Sequence, residues 1–384
     1  MKFTNANIYD SSAKAFKKGS LETENGMIKT VKFGENADIS AEGEVDLEGA
    51  MLIPGFVDAH THGRAGFDFN TADLEAMKKM AKSYASKGVT TVMATLASAP
   101  LEKLEKSSDL INELKENGSG GARYAGVHLE GRYLNVSKRG AHASELIAPL
   151  DSAELKELLT HMKKPCHISA AFELDKDGSF MNAALEAGAT LGLGHTSATC
   201  AEALDIYRRG NVSFTHTYNA MTPLHHREAG TVGAALLSDA YTELICDGLH
   251  ICPEIVALTF KIKGCDKLVL ITDSMEATGN GDGDYNIAGM PVIVKNGKAL
   301  TIDGALAGST LELIDGIRNL VRFAGASLEE AIACATINPA KMLGIDGVCG
   351  SLETGKYADF VIAHKDDDDI FVIDSVILGG IEVK

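Results

Sequence analysis

The sequence predicts an α/β fold, a (β/α)8 TIM barrel carrying a small β-sandwich domain formed by both chain ends. Three observations predict it. From about residue 89 to 275, apolar β-rich runs alternate with segments of helical spacing, the signature of a parallel sheet covered on both faces. With the run at 52–60 in front, the strands number eight, as in a closed α/β barrel. The two ends read differently, as short alternating runs with Gly turns.

The elements follow in chain order. Residues 1–52 hold short runs with turns at Asn25-Gly26 and Phe33-Gly34. The barrel strands are expected at 52–60, 89–96, 124–131, 166–173, 190–195, 211–216, 243–250 and 267–273. Helical spacing at 153–162, 181–187 and 201–209 supplies crossovers. From about Gly347 short strands return at Ser351-Leu352, 359–363 and 371–378, and the acidic run 366–369 between them reads as a solvated loop. The chain thus divides into a small β-domain of residues 1–52 plus 347–384 and a barrel of residues 53–346.

Composition bounds the function. The 384 residues are 45% hydrophobic and 23% charged, ordinary globular values. A formal net charge of −17 argues against nucleic acid or an anionic membrane as partner. It leaves room for a small anionic substrate, since a local cationic pocket acts at short range while distant charge is screened. No apolar run approaches the roughly 18 residues of a transmembrane helix. Residues 1–10 lack the basic and apolar regions of a secretory signal. Seven scattered cysteines, an odd number, read as reduced and mostly buried thiols. A cytoplasmic protein is the expectation.

Six residues carry the chemistry. His60 and His62 stand in Asp58-Ala59-His60-Thr61-His62-Gly63, Glu130 in His128-Leu129-Glu130-Gly131, His195 after Leu193-Gly194, His216 after Phe214-Thr215 and Asp273 after Ile271-Thr272. All but His62, which is two residues further on, lie at or just beyond the C-terminal ends of expected strands, the face on which barrel active sites are built. Residues i and i+2 of a strand point the same way, so His60 and His62 present two imidazoles to one centre. A lone histidine is more often a hydrogen-bonded polar residue than a ligand. Four with two acids at converging ends indicate a divalent metal, zinc or iron by donor type. His128 and His167 read as packed within strands, His161 and His364 as surface residues.

The stretch Pro54-Gly55-Phe56-Val57-Asp58-Ala59-His60-Thr61-His62-Gly63 resembles the opening of an amidohydrolase-superfamily barrel. Ala335-Thr336-Ile337-Asn338-Pro339-Ala340 and Gly355-Lys356-Tyr357-Ala358-Asp359 resemble that superfamily's return to its small β-domain. Within it, several stretches resemble the N-acetylglucosamine-6-phosphate deacetylases. These are His128-Leu129-Glu130-Gly131, Gly194-His195-Thr196-Ser197-Ala198-Thr199, Thr215-His216-Thr217-Tyr218-Asn219-Ala220-Met221, His225-His226-Arg227-Glu228-Ala229-Gly230, Asp247-Gly248-Leu249-His250 and Thr272-Asp273-Ser274-Met275. The family usually has Pro-Phe where this chain has Arg132-Tyr133, and often Leu where it has Thr217.

The resemblance implies metal-dependent release of acetate from an amino-sugar phosphate by a homodimer, with one or two ions per chain. Glu130, His195 and His216 would be the core ligands, and His60 and His62 would hold a second ion with Glu130 as bridge. Asp273 would be the general base and then acid. Arg227 offers a planar fork to the phosphate, Asn219 and Ala220 add donors, and His142 (after Ala141) and His250 contact sugar or acetyl. Leu306, Ala307 and Gly308 resemble the loop that closes the pocket. The galactosamine epimer, another amidohydrolase substrate and a non-catalytic metal-binding barrel are the alternatives.

Overall fold

The computed structural model describes residues 1–34 and 43–384; residues 35–42, inside the expected end domain, lie outside them. Eight parallel strands pair in chain order: β1 (Phe56–Thr61), β2 (Val89–Leu96), β3 (Arg123–Glu130), β4 (Cys166–Ala170), β5 (Thr190–Leu193), β6 (Ser213–Phe214), β7 (Thr242–Ile245) and β8 (Leu268–Ile271). β8 returns to β1 through side chains as much as backbone. Asp273 N–H donates to the His60 carbonyl at 2.9 Å. Thr272 Oγ1 donates to Asp58 Oδ2 at 2.6 Å, and Thr61 pairs in parallel with Ser274. The expected TIM barrel is present.

Strand alternation divides the apolar residues. Leu268 and Leu270 of β8 join the large outer core, whereas Val269 and Ile271 join a second core with Val57, Met93 and Ile245. Ala340, Met342 and Leu343 pack on this second core. Further along the strands the interior becomes polar. His128 and His167, read as packed residues, are fully buried, and His128 bonds Thr95 Oγ1 at 3.1 Å and Ser169 Oγ at 2.8 Å.

Helices cover the barrel, among them α1 (Leu74–Ala85), α2 (Leu101–Asn117), α3 (Ser152–His161), α4 (Ser179–Glu186), α5 (Cys200–Gly210), α6 (Gly230–Leu237) and α7 (Pro253–Lys267). Their starts carry local capping signals: Asp73 and Asp151 cap α1 and α3, and Thr199 with Glu202 forms a capping box on α5.

Several strands end earlier than the sequence indicates. β6 covers 213–214 where 211–216 was expected, and β7 stops at Ile245 where 250 was expected. The residues beyond leave the ladder to turn into the barrel mouth. The expected strand 52–60 is two strands: Met51–Pro54 pairs with Phe360–Lys365 in the end sheet, and β1 starts after Gly55.

The chain ends form one sheet around a core of Phe3, Ile8, Leu21, Leu52 and Phe360, the small sandwich domain expected. Its central strand Lys2–Asp10 pairs with Ala15–Glu24 on one side, and on the other with Glu44–Asp46 and then Met51–Pro54. The acidic run at 366–369 is a largely exposed turn there. An element absent from the sequence reading is the antiparallel meander Gly283–Ile287, Met290–Lys295 and Lys298–Thr301, inserted after β8. Its turns Ala288-Gly289 and Asn296-Gly297 have paired positive φ values, the hairpin conformation that an Asn-Gly pair signals. No helix among the described residues is long and apolar enough to cross a membrane.

Candidate active site

The six expected residues meet in one buried cluster. His60, His62 and Asp273 place ligand atoms within 4.8 Å of one another, as do Glu130, His195 and His216. Glu130 joins the two sets. Its Oε1 lies 3.1 Å from His195 Nε2 and 2.7 Å from His216 Nε2. Its Oε2 lies 3.0 Å from His62 Nε2 and 3.4 Å from His60 Nε2. Asp273 Oδ1 stands 3.2 Å from His62 Nε2 and 3.6 Å from His60 Nε2.

The backbone is bent to achieve this. His195, His216 and Asp273 all have left-handed φ values, 46°, 27° and 49°. Such conformations cost about 1–3 kcal/mol each for ordinary residues and persist where the surroundings over-determine them. Here Asp273 is tied on both sides: its N–H donates to His60, and its carbonyl accepts the Ser309 N–H at 2.7 Å.

Outer contacts orient the rings. His195 Nδ1 donates to the Lys138 carbonyl at 2.8 Å, and His60 Nδ1 faces Glu243 Oε2 at 3.2 Å. Both rings therefore turn Nε2 inward, and His60 Nε2 is buried without a hydrogen-bond partner. His195 Nε2 and His216 Nε2 stand only 3.1 Å apart. Inward imidazole nitrogens, a shared carboxylate and carboxylate or carbonyl groups behind the rings are the donor set of a divalent-metal centre. The residues fit one or two such ions.

Burial alone would raise the carboxyl pKa values. His60, His195 and His216 overrule it at Glu130 and hold it well below the usual carboxylate range. His60 and His62 do the same at Asp273, drawn down to about 2. Asp273 is thus ionised at neutral pH. Burial, with His195 beside it, pushes His142 down to about 3, so that ring is neutral.

A cavity of about 160 Å³ opens on this cluster. Ala141, His142, Asn219, Ala220, His250, Leu306, Ala307 and Gly308 line it together with His62, Glu130, His195, His216 and Asp273. His250 Nδ1 donates to Asp247 Oδ2 at 2.7 Å. A Cβ on Gly308, at φ 61°, would lie 3.1 Å from the Asp273 carbonyl, so glycine permits this loop to close on the site. A second lobe of about 200 Å³ adjoins at His62, Ala141, His142 and Ile287, and the inserted meander supplies one of its walls.

Two expectations differ. Arg227 is exposed and does not line the cavity. Thr231 N–H bonds Thr222 Oγ1 at 2.6 Å, pinching residues 223–229 into a projecting turn in which His225 pairs with Glu228. The Asn219 backbone N–H is already engaged, donating to the His216 carbonyl at 3.0 Å. The sequence reading also missed Glu243 and Ser98. Glu243 carried a signal, an acid inside the apolar strand β7; Ser98 carried none. Among the cysteines all are free, four buried, two partly buried and Cys252 exposed.

Residues 51–383 match the amidohydrolase family. An Escherichia coli protein named N-acetylgalactosamine-6-phosphate deacetylase is 37% identical over 81% of this chain and 83% of its own length. The N-acetylglucosamine-6-phosphate deacetylase of Bacillus subtilis is 36% identical over 84% and 83%. The solved structure of N-acetylglucosamine-6-phosphate deacetylase from Thermotoga maritima superposes with a TM-score of 0.87 at 34% identity, covering 100% of this chain and 99% of that one.

Proposed function

This chain belongs to the amidohydrolase family, and from that premise we propose that it hydrolyses the amide of N-acetyl-D-glucosamine 6-phosphate, releasing D-glucosamine 6-phosphate and acetate in amino-sugar catabolism. The observation that carries the reading is the pair of ligand sets sharing Glu130, with Asp273 beside them at the wall of a cavity. Relatives named for this reaction match most of the chain.

Glu130, His195 and His216 would hold one divalent ion, zinc or iron, and His60 and His62 with Glu130 a second. When bound, such an ion polarises the amide carbonyl and makes water acidic enough to attack near neutral pH. Asp273 accepts the proton of the attacking water on its carboxylate and returns it to the departing amine nitrogen. His142 turns a ring edge toward the acetyl group, and His250 Nε2 accepts a sugar hydroxyl. Leu306, Ala307 and Gly308 cover the cavity and restrict water.

Arg227 is the proposed phosphate contact. Its turn begins three residues after Ala220, which lines the cavity. Asn219 and Ala220 border the same side. A homodimer in the cytoplasm completes the proposal.

The deciding experiment follows acetate release from N-acetylglucosamine 6-phosphate, its galacto epimer and the unphosphorylated sugar. Fastest turnover of the first supports the proposal. Preference for the epimer, favoured by the 37% identity to the Escherichia coli protein, would reassign the sugar and keep the chemistry. Release from none of the three would end the reading.

A further inference from the structure

We propose that Ser98 is a positioning residue that locks His142 in its Nε2–H tautomer, so that a donor points into the cavity at the substrate's acyl oxygen. Only the identity of that acceptor rests on the function proposed above; the tautomer stands on hydrogen-bond directions.

His142 presents two nitrogens to different surroundings. Nε2 looks toward Glu130 Oε2, 3.8 Å away, on the cavity side. Nδ1 looks at Ser98, whose backbone N–H lies 3.3 Å from it and whose Oγ lies 3.0 Å from it. A backbone N–H can only donate, so Nδ1 must accept. The hydroxyl agrees, because its oxygen already accepts the Arg132 N–H at 2.8 Å and its own proton is free for Nδ1. A neutral imidazole carries one N–H, and with Nδ1 accepting it resides on Nε2.

The neighbouring backbone is shaped to keep Ser98 there. Gly131 has φ 143°, and a Cβ on it would lie 2.3 Å from Ser98 N and 2.6 Å from its Oγ. Arg132 follows at φ 62°, with its guanidinium bonded to Glu154 at 2.7 and 2.8 Å. A proline at 132 would have neither the N–H nor access to that φ. The relay therefore runs from Arg132 N–H to Ser98 Oγ, from Ser98 to His142 Nδ1, and from His142 Nε2–H into the cavity.

The direct test is long-range 1H–15N NMR on zinc-loaded protein labelled at histidine, with His142 identified by the signal lost in His142→Gln. The expected pattern is a protonated Nε2 and a bare Nδ1. A protonated Nδ1, or a doubly protonated ring, at neutral pH overturns the proposal. Kinetics add a second readout. Ser98→Ala should lower kcat about tenfold, the size of one hydrogen bond, with KM little changed, and Ser98→Thr should restore it. A rise in KM at unchanged kcat overturns the positioning role. The spectrum is recorded without substrate. A protein with the expected tautomer that releases no acetate thus fails the proposed function and leaves the tautomer assignment standing.

Discussion

Replacing Asp273 by Asn separates proton transfer from metal holding. The substitution suits the site sterically. Asp273 sits at φ 49°, a conformation Asn tolerates well, and its backbone is fixed by bonds to His60 and Ser309 that do not involve the carboxylate. The amide keeps the shape near His62 Nε2, 3.2 Å from Oδ1, but cannot take up a proton and return it. Loss of a general base costs roughly 100-fold or more, which is about 2.7 kcal/mol at 1.36 kcal/mol per tenfold. The assay measures acetate release and metal per chain on the same preparation. Turnover should fall at least that far while the ion on Glu130, His195 and His216 stays bound. If rate and total metal fall in step, Asp273 is a ligand first and the shuttle reasoning is refuted. If neither falls, another group moves the proton.

Glu243→Gln removes the carboxylate behind His60 Nδ1. Metal affinity at the His60 and His62 set should weaken about 10–100-fold, read by titration with a chelator; unchanged affinity there would show that Glu243 does not orient His60. Arg227→Gln should raise KM for the phosphorylated sugar by about 2 kcal/mol, the worth of a hydrogen bond to a charged group, and hardly affect the unphosphorylated one. Equal effects on both sugars would make Arg227 structural. Arg64→Met should destabilise the fold by about 3–5 kcal/mol. Arg64 is nearly fully buried, bonds Glu312 Oε1 at 2.8 Å and lies over the Tyr84 ring, so its loss strands a largely buried carboxylate. Denaturant unfolding checks this, and a change under 1 kcal/mol would show that the pair is dispensable.

The sequence by itself determined the barrel and the chemistry it holds. Apolar runs punctuated by Gly and helical stretches specify parallel strands, because a sheet covered on both faces has no polar side to show. The period of two in His60-Thr61-His62 and the strand-end positions of Glu130, His195, His216 and Asp273 were legible for the same reason, since direction along one strand is a local property. The Asn296-Gly297 turn was equally local, and it marks the meander that the reading overlooked. Only the tertiary structure decided the rest. That Glu130 faces one histidine pair with each oxygen depends on the register of strands far apart in sequence. The pairing of Glu243 with His60 spans 183 residues, and that of Ser98 with His142 spans a loop with no periodicity to read. Arg227 shows the converse. Its residue type suggested a phosphate ligand, but whether its turn points inward is set by the Thr222–Thr231 pinch, a contact between side chain and backbone that no pattern of hydrophobicity encodes.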